Sequence, residues 1–99
     1  MKQSISLNSV VAASGELVSA NLDGEVVILG FASGSYYSLD QVGAFVWDLL
    51  QHSRKVSDVR DAILSEYDID LARCEQDLFH LLSELDEKGL VDIKTDSTG

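Results

Sequence analysis

The chain has no proline, one cysteine and one tryptophan in 99 residues, and its seven Lys and Arg side chains face seventeen Asp and Glu. Each shortage excludes something. A lone Cys74 cannot form an internal disulfide and has no second thiol with which to frame a zinc site, which fits a reducing cytoplasm. No stretch approaches the roughly 18 to 20 apolar residues that span a bilayer. Met1 to Val10 interleaves Ser and Asn with its apolar residues, so it lacks the unbroken apolar core of a secretory signal. A net charge of −10 repels phosphate backbones and anionic headgroups, which argues against nucleic acid and membrane as partners. The same field would draw in a peptide carrying Lys or Arg, although surplus charge is also an ordinary solubility device.

What is present is enough for one small domain over residues 1–99. Apolar residues make up 45% of the chain, so a core can be packed without staples. Leu17 to Leu22 and Val26 to Phe31 read as strands meeting at Asp23-Gly24, a type I′ hairpin signal. The second is apolar on both faces and is therefore expected between two neighbours. After Ala32-Ser33-Gly34, the short aromatic segment Ser35 to Leu39 reads as an edge strand. The period then becomes helical. Asp40 caps a helix with Val42, Phe45, Val46 and Leu49 on one face, running to about Gln51. His52 to Lys55 reads as a polar connector. Ser57 is the expected cap of a second helix, with Val59, Ala62 and Ile63 facing inward and an end near Tyr67. Asp70 caps a third, whose stripe of Leu71, Cys74, Leu78, Leu81, Leu82 and Leu85 ends at Lys88-Gly89. Leu90 to Lys94 alternates like a short strand, and Thr95 to Gly99 reads as a frayed tail beyond an ordered core of about 9–94.

No arrangement of catalytic or metal-ligating residues emerges, and no cofactor is implied. His52 and His80 lack an HExxH spacing, Cys74 sits on an apolar stripe, and Gly30, Gly34 and Gly43 form no phosphate loop. The second and third helices could form a helix-turn-helix, making a winged-helix DNA-binding regulator an alternative. The would-be recognition helix, however, carries Glu75, Asp77, Glu84, Asp86 and Glu87 against only Arg73 and Lys88. The remaining candidate is the edge strand, whose unpaired N–H and C=O groups an extended peptide can satisfy. On a helical wheel Glu75, Phe79 and Asp86 flank the core stripe of the third helix, with Leu78 and Leu82 on the adjoining stripe. The expected groove lies between that flank and Ser35, Tyr36, Tyr37, Ser38 and Leu39. Phe79 there could equally cap the edge of the core. The same open edge could serve self-association, which leaves the chain a monomer or a weak dimer.

Several phrases, in order, resemble the PqqD family and its relatives, the recognition elements that bind precursors of ribosomally made, modified peptides. They are Asp23-Gly24-Glu25-Val26-Val27-Ile28-Leu29; Gly34-Ser35-Tyr36-Tyr37-Ser38-Leu39 with Gly43 and Trp47; Val59 with Ile63 and Tyr67; and Leu82-Ser83-Glu84-Leu85 followed by Lys88-Gly89-Leu90-Val91. The resemblance runs from about Ser9 to Lys94. It implies an α+β, winged-helix-like fold, with an N-terminal three-stranded antiparallel sheet on three helices. It also implies a non-catalytic protein that binds a precursor's leader as an added strand between the third strand and the third helix. The Gly34 to Leu39 segment is most similar to stand-alone members of lasso-peptide pathways, which serve a separate leader peptidase and a cyclase. In those systems an aromatic residue, a proline and a leucine of the leader enter pockets. A peptide chaperone of the pyrroloquinoline quinone pathway is the second choice within the family, because Gly30-Phe31-Ala32-Ser33-Gly34 and Trp47 after Gly43 suit the lasso type better.

Overall fold

The computed structural model describes residues 5–14, 17–22, 25–30, 34 and 36–94. The Asp23-Gly24 turn, Phe31, the Ala32-Ser33 link, Ser35 and the tail at 95–99 lie outside the described residues.

Strands β1 (Val10–Ala13), β2 (Leu17–Leu22), β3 (Glu25–Gly30) and β4 (Tyr36–Leu39) precede helix α1 (Gln41–Leu49). The two-residue strand β5 (Arg54–Lys55), helices α2 (Val56–Glu66) and α3 (Leu71–Glu87), and strand β6 (Val91–Lys94) follow. The expected antiparallel sheet is present in the order β2-β3-β4, with β3 at its centre and β4 at an edge. Its register pairs Leu22 with Glu25 and leaves two residues for the connection, the length that a tight hairpin requires. Across β3 and β4, Val26 lies opposite Leu39 and Leu29 opposite Tyr36.

A second sheet, in the order β5-β1-β6, was not visible in the sequence. It draws together the two ends of the chain: Val10 pairs with Lys94 and Ala13 with Val91, while Val10 and Val11 pair on the other side with Lys55 and Arg54. β1 and β5 are too short to carry a period-two signal, and they exist as strands because partners distant in sequence supply their ladder hydrogen bonds. Arg54, expected in a connector, also closes α1 by donating from Nε to the Leu49 carbonyl at 2.7 Å.

Helix ends follow local chemistry with one exception. Asp40 accepts from the Gly43 N–H at 2.8 Å and Asp70 from the Arg73 N–H at 2.9 Å, as N-caps do. Ser57 is not the cap of α2. That position is Lys55, without a side-chain bond, and the free N–H groups of Val56 and Ser57 donate instead to the carbonyls of Ser9 and Leu7. α3 ends at Gly89, where φ is +71°. The Leu90 N–H reaches back to the Leu85 carbonyl at 2.9 Å and the Gly89 N–H to Asp86 at 3.0 Å, a Schellman closure that only glycine adopts cheaply. α1 is shorter than expected, giving way to a turn at Leu50.

The helices and both sheets close on one core. Val11 of β1, Ile28 of β3, Leu50, Val59 of α2, and Leu82 and Leu85 of α3 are each wholly inaccessible. Phe45 and Tyr67 meet edge to face at its rim, with ring centres 5.6 Å apart. The core stripe of α3 is Cys74, Leu78, Leu82 and Leu85, while Leu71 is half exposed and Leu81 only partly buried.

Candidate functional site

β4 pairs with β3 along one edge and, among the described residues, with nothing along the other. Between β4 and α3 runs a groove of about 490 Å³, within the size range of ligand sites. One wall is Tyr37, Ser38, Leu39 and Asp40. The other is Asp77, His80, Leu81 and Glu84 of α3. Its floor is apolar, built from Leu78, Cys74 and Ile63 together with Val46 and Gly43 of α1.

Local sequence shapes this groove. Residues alternate along β4, so Tyr37 and Leu39 turn inward toward α3 while Tyr36 and Ser38 face out. Tyr36 is 68% exposed on the outer face of the sheet. Gly43 lets the first turn of α1 press against Leu39, since a Cβ at that position would stand 3.1 Å from Leu39 Cδ2. Tyr37 bridges the groove by donating its hydroxyl to Glu84 Oε1 at 3.1 Å. His80 Nε2 meets the same oxygen at 3.0 Å, and Lys88 Nζ lies 6.0 Å from the centre of the Tyr37 ring. Burial, then the bond to Glu84, then the nearby charges of Glu84 and Asp40 raise the Tyr37 pKa above its usual 10.0.

The structure gathers part of the expected site and redistributes the rest. Tyr37, Ser38, Leu39 and Leu78 line the groove. Glu75, Phe79, Leu82 and Asp86 do not. Glu75 turns toward α2, where Oε2 pairs with Arg60 Nη1 at 2.8 Å. Phe79 stands one helical turn further along that side, partly buried against the core, and Leu82 is sealed inside it. The helix flank facing β4 is the opposite one, Asp77, Leu81 and Glu84, which the wheel alone could not select. Asp40 and Gly43 were read as a cap and a turn residue, and both also border the groove.

Burial pushes the Cys74 thiol pKa up, and its Sγ is turned to the Arg60 carbonyl at 3.9 Å. Among the described residues no three His, Cys, Asp or Glu side chains converge as metal ligands, and no helix is long and apolar enough to cross a membrane. What the arrangement can do is accept an extended chain, pairing its backbone with β4 and seating alternate side chains on an apolar floor.

Fold and site together define a small sheet-and-helix domain with a strand-edge groove. The family model for coenzyme PQQ synthesis protein D (PqqD) matches residues 25–91, and the chain belongs to that family. Among curated proteins no sequence matches it. Among solved structures it is similar to "TbiB1 in Complex with the TbiA(beta) Leader Peptide", with a TM-score of 0.76 and 38% identity over 86% of this chain and 99% of that one. It is also similar to "Lasso peptide synthetase B1 complexed with the leader peptide", with a TM-score of 0.69 and 27% identity over 83% and 96% of the two chains.

Proposed function

We propose that this chain is a non-catalytic recognition module that binds the leader of a ribosomally made precursor, of the lasso-peptide kind, and presents the precursor to separate enzymes. One observation carries the reading: the edge of β4, unpaired among the described residues, borders an apolar-floored groove against α3. Both similar structures, solved with leader peptides, support it. The leader adds as a strand beside β4, where backbone pairing supplies affinity, and side chains entering the groove supply selectivity. Leu39, Leu78 and Leu81 receive its apolar anchors. Holding the leader raises the concentration of the attached core near a partner enzyme to roughly millimolar for a short flexible connection, which accelerates modification without any bond being made here. A leader peptidase and a cyclase, on other chains in the cytoplasm, are the partners this role calls for.

The test is a fluorescence-anisotropy titration with labelled TbiA(beta) leader peptide, a scrambled version of it, and a DNA duplex. Saturable binding to the leader alone supports the module. Binding to the duplex with a steep salt dependence would instead support a winged-helix regulator. The family's description favours a second reading, peptide binding in pyrroloquinoline quinone synthesis. A preference for that pathway's precursor over lasso leaders in the same titration would establish it.

A further inference from the structure

Resting on the leader-binding reading, we propose that the groove selects leaders by charge, taking a Lys or Arg side chain against the α3 wall at Asp77 and Glu84. Among the described residues the groove is lined by Glu25, Asp40, Asp77 and Glu84 and by no Lys or Arg. Among the described residues, Arg54 closes the α1 carboxyl end and Arg60 pairs with Glu75 and Asp61, away from the groove, while Arg73 pairs with Asp77 and Lys88 lies over the Tyr37 ring at its border.

Asp77 and Glu84 are seven residues apart on α3, so they stand two turns apart on one face, roughly 10 Å along the axis. Both can accept a cation at modest cost. Asp77 Oδ2 is shared with Arg73 in a surface pair whose side chains are 68% and 57% exposed, an interaction that an incoming cation can replace. Glu84 receives its two bonds at Oε1, from Tyr37 and His80. The apolar floor of Leu78 and Ile63 borders these carboxylates, and a charge pair made beside apolar surface is stronger than one in open solvent. An acidic residue of the leader at the same place would meet like charge on both walls, Asp40 across from Asp77 and Glu84.

The strand edge adds a geometric signature. A peptide paired with β4 presents every second side chain to the groove. The charge preference must therefore alternate along the leader.

The experiment is a charge scan of the TbiA(beta) leader, with Lys and then Glu substituted singly at each position. Kd is measured by anisotropy, and the readout is the ratio of the Glu Kd to the Lys Kd. We expect a ratio of about three- to ten-fold at alternate positions over a short stretch. It should fall toward one in the Asp77→Asn, Glu84→Gln double variant and persist in Asp58→Asn, a remote carboxylate on α2. Ratios near one throughout, a preference without alternation, or a ratio that survives in the double variant would overturn the proposal. Should that variant fail to fold, the wild-type scan repeated in 1 M salt serves instead, because screening must erase the ratio. Absence of binding by the unsubstituted leader is a different result, which sinks the leader-binding reading itself.

Discussion

On one side of α3, Glu75 and Phe79 turn toward α2 and the core edge; on the other, Asp77, Leu81 and Glu84 face β4 across a groove. In composition the two flanks are near copies, each mixing carboxylates with one large apolar side chain. Their surroundings differ. Glu75 has a fixed cation on a packed neighbour, so its flank is a joint between helices. Asp77 has an exposed partner on its own helix, and Leu81 faces a strand whose outer edge is unpaired among the described residues. A helix flank becomes a binding wall where the element opposite leaves space and backbone hydrogen bonds unmet, whatever its own residue content.

The most severe way to break this contrast is to remove the stripe both flanks share. Leu82→Ala empties a fully buried position and should cost about 2–5 kcal/mol, a large part of a small domain's stability. Urea unfolding followed by circular dichroism would show it, and an unchanged midpoint would mean that α3 is not packed as described. Next in size, Leu81→Asp places a charge on the groove wall without opening the core. Leader affinity should fall on the order of ten-fold or more while the protein stays folded. Retained affinity in that variant would move the peptide off this wall.

A smaller effect attends the bridge across the groove. Tyr37→Phe removes the hydroxyl bond to Glu84, which is worth about 0.5–1.5 kcal/mol. The Tyr37 pKa is raised in the folded state, so its contribution is complete below pH 10.0 and is lost as pH climbs through the higher folded value. Wild-type stability should therefore decline at strongly alkaline pH more steeply than that of Tyr37→Phe. Parallel curves for the two proteins would show that the bridge is absent in solution. The smallest expected change in binding is on the other flank. Glu75→Gln breaks the part-buried pair with Arg60 and should leave the leader Kd within about two-fold, since that pair joins α3 to α2 and does not line the groove. A five-fold loss there would return the groove to the Glu75 side.

Much of the site was legible because its signals are local. The edge character of Tyr36 to Leu39 follows from a short, mixed strand after a glycine turn, and the caps at Asp40 and Asp70 follow from side-chain chemistry within three residues. The choice of flank was not legible. A wheel places Glu75, Phe79 and Asp86 on one border of the stripe and Asp77, Leu81 and Glu84 on the other, and the two borders are equivalent until a neighbour breaks the symmetry. Ser57 misled for a related reason: a hydroxyl beside a helix start is a good cap in isolation, but here the carbonyls of Leu7 and Ser9, brought in from the other end of the chain, already accept the Val56 and Ser57 N–H groups.

By itself, then, the amino-acid sequence determined the β2-β3-β4 hairpin order, three amphipathic helices, their core stripes and an acidic surface, because periodicity, caps and charge act over a few residues. Tertiary structure alone decided that β1 and β5 are strands at all and that they join β6 in a second sheet, that α2 is capped by backbone rather than by Ser57, and which border of α3 faces the open edge of β4. Each of those depends on groups far apart in sequence meeting in space, and a hydrogen bond or a packed wall exists only once both partners have arrived.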